Sequence, residues 1–254
     1  MKLVSLILTT YNCAENLKKT LTAIDSQDYL DIEVVIKDGL STDDTVDVIK
    51  DYAEESRYTV IWKSCEDTGI YDAMNQGYEL SHGEYILFIN DFLLQKDAIS
   101  KLVNAIESDE RNVGAHANLI YSNENKVVRY WKMGPQRSFY SGWMPGHPTF
   151  MLKREIYEKI GLYDTSYRIS ADYDLMQRAL KKGSRIGYVP EVIVSMYYGG
   201  TSTSSSSGYI DGLKEAHRAL NSNGYRFAYV IDALRTIRVL MQFVNAKFYK
   251  AKRD

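Results

Sequence analysis

The sequence predicts an α/β fold built on a mostly parallel sheet with helices on both faces. Apolar strand patterns alternate with helical patterns over residues 1–109, in the order β-α-β-α-β-α-β-α. Each of the four strands runs directly into polar or acidic residues. Because ligands bind beyond the carboxyl ends of the strands in an open parallel sheet, these four ends should converge on one crevice.

The four strand ends share carboxylate, amide and hydroxyl side chains. In chain order, Leu3–Leu8 leads into Thr9-Thr10-Tyr11-Asn12, Ile32–Ile36 into Asp38-Gly39, Tyr58–Trp62 into Glu66-Asp67, and Tyr85–Ile89 into Asn90-Asp91. A crevice lined in this way suits a metal-bound nucleotide or a sugar better than a bare anion.

Helix signals lie between these strands. Leu17, Leu21 and Ile24 follow helical spacing, and a capping-box-like start at Ser41–Asp44 opens the second helix. The third helix is predicted over Ile70–Leu80, before Gly83. Beyond residue 110 the pattern is less regular. It predicts a half-exposed strand at Lys126–Lys132 and a strand, a helix and a strand between residues 147 and 200.

The chain divides into a catalytic domain and a tail. Residues 1–200 form the predicted domain, with a nucleotide-binding half at 1–109 and an acceptor half at 110–200. A Ser/Thr-rich stretch at 201–208 is predicted to be a flexible loop, and residues 209–254 a helical C-terminal extension.

Composition narrows the class of protein. The chain has 254 residues, 45% of them hydrophobic, and a net charge of −2, so no basic field attracts nucleic acid. The two cysteines, Cys13 and Cys65, indicate a reduced compartment without a disulfide framework, and we expect a cytoplasmic protein. The apolar run at residues 1–10 is interpreted as a strand, and no stretch has the roughly 18 apolar residues of a spanning helix.

Several common site motifs are absent from the sequence. It has neither G-x-G-x-x-G after the first strand nor G-x-x-x-x-G-K-[ST], which argues against a Rossmann dinucleotide site and a P-loop. Zinc-ligand spacing and G-x-S-x-G are also missing. A nucleotidyltransferase would normally carry a Gly-rich loop with Arg and Lys after the first strand, and this chain has none.

The last thirty residues are basic and amphipathic. From Tyr225 to Asp254 there are seven Lys or Arg residues against two Asp residues, with apolar residues at helical spacing. A helix of this kind can lie on an anionic membrane surface. A homodimer interface, or a helix docked on the protein's own core with a solvated basic face, would produce the same pattern.

Four blocks of sequence, taken together and in order, resemble the family 2 glycosyltransferases of the GT-A fold. They span residues 3–200 and consist of Val4–Asn12 with Val34–Thr45, then Asp67–Gly77, Gly142–Phe150 and Ile169–Arg178. The likeness is strongest to bacterial enzymes that build exopolysaccharide, capsule or O-antigen, of the colanic-acid transferase type.

The resemblance implies a sugar transferase that inverts the anomeric centre and uses a nucleotide-diphospho-sugar donor, usually UDP-linked. It also implies a divalent metal, Mn²⁺ or Mg²⁺, that bridges the diphosphate to acidic residues after the fourth strand. The expected acceptor is a glycan or a lipid-linked sugar at the inner face of the membrane.

By the same likeness, the donor site takes residues from all four strand ends and the third helix. The positions implied are Thr9, Tyr11, Asp38, Gly39, Asp67, Gly69, Asp72, Asn75 and Asn90. Of these, Asp38 should bind the uracil or ribose, and the helix N-terminus after Gly69 should face the diphosphate. Turn formation by Asp38 and helix capping by Asp67 are the structural alternatives.

The expected metal ligand is Asp91. Relatives usually carry Phe-x-Asn, a small residue, and then an acidic pair or Gly-Asp, whereas this chain has Phe88–Leu93 with one carboxylate. Either the metal binds together with the donor, or the protein is a weakened or non-catalytic nucleotide-sugar-binding protein.

The expected catalytic base is Asp172, in the first turn of a helix capped by Ser170, where the helix dipole favours an ionised carboxylate. The preceding residue, usually acidic in relatives, is Ala171. Acceptor-side residues are predicted to be Trp143, which could stack on a sugar, together with His147, Asp174 and Arg178. An i,i+4 ion pair between Asp174 and Arg178 is the alternative.

Overall fold

The computed structural model describes residues 1–123, 126–181, 183–198 and 206–249. Within these ranges nine strands form one sheet. In chain order they are β1 (Val4–Thr10), β2 (Ile32–Asp38), β3 (Thr59–Ser64), β4 (Tyr85–Phe88), β5 (Phe92–Leu93), β6 (Asn112–Asn123), β7 (Lys126–Trp131), β8 (Met151–Lys153) and β9 (Arg185–Tyr197).

Eight α-helices in the described ranges connect or cover these strands. They are α1 (Ala14–Asp25), α2 (Thr45–Glu55), α3 (Ile70–Leu80), α4 (Ala98–Glu107), α5 (Arg154–Ile160), α6 (Ala171–Ala179), α7 (Ser206–Ser222) and α8 (Ala228–Ala246). Two 3₁₀ turns, Phe139–Ser141 and His147–Thr149, interrupt the segment between β7 and β8.

The sheet has the order β3-β2-β1-β4-β8-β6-β9-β5, with β7 beside β6. The pairs among the first four strands are parallel, as predicted. The second half is mixed, since β8 is antiparallel to both β4 and β6 while β6 and β9 are parallel. The short β8 follows an irregular segment instead of a crossover helix, which permits this antiparallel insertion.

Both faces of the sheet are buried. Along β1, Leu6 and Leu8 pack into one apolar cluster, which contains side chains of α1, α2 and α4. The intervening Ile7 packs into the other cluster, with side chains of α3 and of α5 to α8. Alternation of this kind explains why the central strands have nearly continuous apolar sequences.

The C-terminal helices pack against the domain. Helix α8 contacts β7 and lies on Gly142, where an added Cβ would meet the backbone nitrogen of Arg235 at 2.5 Å. Helix α7 begins at Ser206, inside the loop predicted for 201–208, because Ser is tolerated in a helical first turn. The remainder of that predicted loop, 201–205, lies outside the described residues. None of the described helices is long and apolar enough to cross a membrane.

Candidate active site

The four strand ends converge as predicted. Thr10, Asp38 and Ser64 lie level with one another in the parallel register of β1, β2 and β3. Thr9 and Asn90 join β1 to the segment after β4 through two hydrogen bonds, from Thr9 N to Asn90 Oδ1 and from Asn90 Nδ2 to Thr9 Oγ1, both 2.8 Å. One polar crevice therefore forms at the carboxyl edge of the sheet.

Asp38 stabilises the wall of the crevice through hydrogen bonds to three neighbouring residues. It is fully buried, and its carboxylate accepts from Thr10 Oγ1 at 3.1 Å, Ser64 Oγ at 2.6 Å, and the backbone and hydroxyl of Ser41 at 3.0 and 2.5 Å. Burial raises the pKa of this carboxyl, but the hydrogen bonds from Ser41 and Ser64 outweigh it, so the net shift is downward. The structure thus gives Asp38 a loop-holding role, and direct contact with a base stays a prediction.

A buried lysine that the sequence analysis missed organises the next part of the crevice. Lys37 Nζ donates to Asp67 Oδ2 and to the backbone carbonyl oxygen of Cys65, each at 2.8 Å. Gly39 lies against the same carboxylate, because an added Cβ would stand 2.8 Å from Asp67 Oδ2 and 3.5 Å from Tyr11 Cδ2. Tyr11 is 66% exposed, which leaves its ring at the mouth of the crevice. The sequence signal that could have identified Lys37 is a lysine inside an otherwise apolar strand.

Helix α3 contributes its N-terminus more than its side chains. No side chain caps that terminus, and Gly69 precedes it with φ of 137°. Asp72 accepts from Thr68 N at 2.8 Å, which fixes the turn before the helix. The spacing of Asn75 on α3 predicts an approach to the donor sugar or to the Asn90 loop. Both ends of its amide instead bind the backbone of Tyr163, at 2.9 and 3.0 Å.

Asp91 follows Asn90 and faces a poorly hydrated environment. The side chain is of intermediate exposure, and burial raises the pKa of its carboxyl to about 7, with the Tyr197 backbone hydrogen bond opposing that shift. A carboxylate with so few donors is a suitable ligand for a cation, which would supply the missing favourable charge.

The donor set limits how a metal could be held. Within the described ranges, no group of three His, Cys, Asp or Glu side chains is placed to share a metal ion. Both polar atoms of the Asn90 side chain are bonded to Thr9. The residues therefore fit a Mn²⁺ or Mg²⁺ ion held by Asp91 together with phosphate oxygens and water, and do not form an all-protein cage.

Asp172 lies in the first turn of α6, and its loop is held from two sides. The hydroxyl of Tyr71 donates to the carbonyl oxygen of Ile169 at 2.6 Å and lies 3.2 Å from Asp172 Oδ1. From α7, the Glu215 carboxylate accepts the backbone N–H groups of residues 168–170, at 2.9, 2.8 and 3.0 Å. The C-terminal extension therefore positions the predicted base.

Asp91 and Asp172 both influence Tyr121 of β6. Burial raises the pKa of the Tyr121 hydroxyl, the guanidinium of Arg129 opposes the shift, and both carboxylates add to it. The residues predicted for metal binding and for proton removal therefore both lie near this tyrosine, although they belong to different halves of the chain.

Trp143 is buried and His147 is half-buried, and sugar stacking by Trp143 stays a prediction. Trp143 is 2% exposed and donates from Nε1 to the carbonyl oxygen of Met133 at 3.0 Å. His147 Nε2 lies 2.7 Å from the Tyr163 hydroxyl, and burial lowers the pKa of its ring while Asp172 opposes that shift. His147 therefore has a neutral ring, which is bonded to Tyr163 and lies near Asp172.

Asp174 and Arg178 form a structural pair in place of the predicted acceptor contact. Arg178 Nε donates to Asp174 Oδ2 at 2.8 Å, and its other nitrogens donate to carbonyl oxygens of the loop after α5, including those of Ile160 and Leu162. Asn223 Nδ2 donates to the remaining Asp174 oxygen at 2.7 Å. These bonds fix α6 to its neighbours.

A cavity of about 350 Å³ opens beside Asp172. Its walls come from α6, from β6 and β7, from the segment around Trp143, and from α7 and α8. The cavity has space for a substrate next to a carboxylate that can accept a proton, which is the minimum that an acceptor site requires.

The family model described as glycosyl transferase family 2 matches residues 5–172. The chain belongs to this family and is a glycosyltransferase. A PGL/p-HBAD biosynthesis glycosyltransferase of Mycobacterium bovis (strain BCG / Pasteur 1173P2) is 29% identical over 202 residues, 78% of each chain. The Escherichia coli UDP-Glc:alpha-D-GlcNAc-diphosphoundecaprenol beta-1,3-glucosyltransferase WfaP is 27% identical over 186 residues, 72% of each chain.

Solved structures confirm the GT-A fold. S. aureus TarS 1-349 in complex with UDP-GlcNAc has a TM-score of 0.71 at 18% identity, covering 94% of this chain and 72% of that chain. The mannosyltransferase PcManGT from Pyrobaculum calidifontis, in complex with GDP-Man and Mn²⁺, has a TM-score of 0.69 at 18% identity, covering 96% and 74%. The family 2 match ends at Asp172, so α7 and α8 lie beyond it.

Proposed function

We propose that this glycosyltransferase moves a sugar, with inversion, from a nucleotide-diphospho-sugar to a hydroxyl of a glycan or lipid-linked sugar in surface polysaccharide synthesis. The observation that carries the proposal is the position of Asp172, a carboxylate in the first turn of α6 that borders a cavity and, like Asp91, lies near Tyr121. A UDP-sugar is the first donor to test, since WfaP and TarS are named with UDP-sugars.

In the proposed mechanism the acceptor hydroxyl oxygen attacks the anomeric carbon in line with the leaving phosphate oxygen. A bond forms between that oxygen and the anomeric carbon as the carbon–phosphate oxygen bond breaks. The hydroxyl proton passes to the Asp172 carboxylate, and the nucleoside diphosphate leaves with the electron pair. Tyr71 and Glu215 keep the base in place through the backbone before α6.

Charge on the leaving group must be stabilised at the opposite end of the reacting bond. Asp91 would hold a divalent cation there, and the cation would neutralise charge on the diphosphate. The uncapped N-terminus of α3 presents further backbone N–H groups near Asp67. A non-catalytic nucleotide-sugar-binding protein is the second candidate, favoured by the single carboxylate at this position.

Calorimetric titration tests the donor site. We expect UDP and one of a panel of UDP-sugars to bind with micromolar affinity in the presence of Mn²⁺. Binding should be at least tenfold weaker without Mn²⁺, because the ion would neutralise charge on the diphosphate. GDP-mannose and a TDP-sugar serve as base controls. Binding without transfer to any acceptor or to water would favour the non-catalytic candidate, and absence of binding to every nucleotide would contradict both.

We also propose that α8 contacts an anionic membrane surface. One face of the helix carries an apolar stripe whose exposed members are Val230, Leu234, Ile237, Met241, Val244 and Phe248. Lys247 borders the stripe, and the sequence continues with further basic residues at 250, 252 and 253. Apolar residues flanked by lysine and arginine suit the boundary between lipid headgroups and acyl chains.

Replacing two stripe residues in the full chain tests this contact. The double variant Ile237→Ser with Val244→Ser should bind phosphatidylglycerol vesicles at least tenfold more weakly, since it exposes less apolar surface to the lipid. The matched control is Ile210→Ser, which removes a similarly exposed apolar side chain from α7. A fall from dimer to monomer mass, with unchanged vesicle binding, would instead assign the stripe to a homodimer.

A further inference from the structure

The cavity beside Asp172 is basic. Its described lining includes Arg129, Lys132, Arg235 and Arg238, whereas Asp172 is the single carboxylate among those residues. Three of the four basic side chains are arginines, which bind phosphate and carboxylate groups with two parallel hydrogen bonds. The excess of positive charge surrounds the residue proposed to remove a proton.

Arg129 is buried without an ion-pair partner among the described residues. It is 8% exposed, and its Nε and Nη2 both donate to Gln242 Oε1, at 3.2 and 2.6 Å. Its guanidinium lies over the rings of Tyr121 and Phe243, 4.2 and 5.3 Å from their centroids. The guanidinium is thus bonded to a neutral amide and lies over aromatic rings, with no ion pair among the described residues to balance its charge.

Arg238 repeats the pattern on α8. Its Nε donates to the carbonyl oxygen of Ser141 at 2.9 Å, and the described part of the chain offers it no carboxylate within ion-pair distance. Burial lowers the pKa of its guanidinium, and the neighbouring Arg137 adds to that shift. Two arginines without an ion pair among the described residues therefore line one cavity.

An unpartnered hydroxyl lies in the same wall. Tyr173 is buried, and its hydroxyl has no hydrogen-bond partner in the described structure. The Arg235 guanidinium stands over the Tyr173 ring at 4.8 Å, and Arg235 is only loosely paired with Asp232, at 3.7 Å. Buried polar groups normally have partners, so the wall that carries the arginines also contains an unpaired hydroxyl.

We propose that this cavity binds a phosphate or diphosphate ester group of the acceptor, held by Arg129 and Arg238. The proposal rests on the proposed transfer function and specifies the acceptor as an anionic sugar ester. Binding the phosphate among the arginines places the attached sugar within the cavity next to Asp172. The volume of about 350 Å³ is at the small end of the roughly 300–1,000 Å³ typical of ligand sites.

The C-terminal extension would then determine the acceptor. Arg238 belongs to α8, and Met241 of the same helix takes part both in the cavity lining and in the exposed stripe. A hydrocarbon chain attached to the phosphate could leave the cavity along that stripe. A soluble sugar phosphate would contact the arginines alone. A lipid-linked phosphate ester and a soluble one should therefore bind differently.

Calorimetry with the full chain tests the proposal, with inorganic pyrophosphate as the probe and UDP held at saturation to occupy the donor site. We expect pyrophosphate to bind in the presence of UDP. Its affinity should fall by about tenfold to a hundredfold in Arg238→Gln, because a charge-assisted hydrogen bond is lost. Arg238→Lys should recover part of it. Arg226→Gln, which removes an exposed charge just before α8, is the matched control.

Equal pyrophosphate affinity in Arg238→Gln and the unmodified chain, or binding that UDP abolishes, would overturn the proposal. A second titration replaces pyrophosphate with farnesyl diphosphate. Tighter binding of the farnesyl ester supports a lipid-linked acceptor, whereas equal affinity supports a soluble phosphate ester. If no nucleotide binds but pyrophosphate still depends on Arg238, the anion site stands and the proposed donor function fails instead.

Discussion

Asp172→Asn is expected to lower kcat for sugar transfer by about 10²–10⁴-fold, the usual contribution of a positioned general base. The amide keeps the shape of the carboxyl group but cannot accept the acceptor proton. Affinity for the nucleotide should change little, since Asp172 borders the cavity on the acceptor side. Initial rates at saturating donor, compared with calorimetric donor affinity, separate the two effects.

The matched control for this variant is Asp164→Asn. Asp164 is an exposed carboxylate eight residues earlier, in the loop before α6, where it accepts from the backbone N–H of Ser166 at 2.9 Å. It should transfer sugar at nearly the unmodified rate. If Asp172→Asn retained more than about a tenth of the activity, Asp172 would not be the base, and another group in the cavity would have to remove the proton.

The strand-end crevice could be predicted from sequence because each strand has a local pattern, and the topology of a parallel sheet brings the carboxyl ends of its strands to one edge. Once β1, β2 and β4 are recognised, their polar ends must lie level, and the Thr9–Asn90 and Thr10–Asp38 bonds follow directly. Asp172 could be placed for a similar reason, since Ser170 before an apolar stripe marks a helix start and fixes the residues of its first turn. The expected cap is not formed, because the Ser170 hydroxyl donates to the carbonyl oxygen of Gly212 at 3.0 Å.

The residues that sequence analysis missed depend on long-range partners. Glu215 binds the backbone before α6 from 45 to 47 positions away, and Arg129 meets Gln242 across 113 positions. Neither spacing has a periodic or local signature. The same limitation applies to Trp143 and Asn75. Residues distant in sequence surround Trp143, which is buried, and the backbone of Tyr163 binds the amide of Asn75.

The amphipathic pattern of the C-terminal segment correctly indicated a helix but left its surroundings open. In the structure α8 has two functional faces. One includes Gln242 and Arg238, which reach β7 and the 3₁₀ turn, while the other is the exposed apolar stripe. A single hydrophobic stripe in a sequence cannot show that the opposite, more polar face is also buried against the domain.

Asp91→Asn is expected to make the protein more stable and the donor site weaker. In the folded protein the pKa of Asp91 is raised from 3.8 to about 7, because burial disfavours the charged carboxylate. A raised folded pKa contributes stability that is present below the unfolded pKa and is lost as pH rises through the folded value. The unmodified protein should therefore lose unfolding free energy between about pH 4 and pH 7.

The variant cannot ionise at this position, so it should escape that loss. In metal-free buffer its melting temperature should exceed that of the unmodified protein by a few degrees at pH 8, and the two should agree near pH 4. Asp51→Asn, on the exposed side of α2, should show no such pH-dependent difference. A lower melting temperature for Asp91→Asn at pH 8 would contradict the assignment of a poorly solvated carboxylate.

Donor binding should respond in the opposite direction. In Asp91→Asn, added Mn²⁺ should no longer strengthen UDP-sugar binding, because the carboxylate that would hold the cation is gone. Such opposite changes in stability and binding are expected where a group is retained for function at a cost to the fold. An unchanged effect of Mn²⁺ in the variant would mean that the donor phosphates hold the ion without Asp91, and the single-carboxylate site would then have no role in transfer.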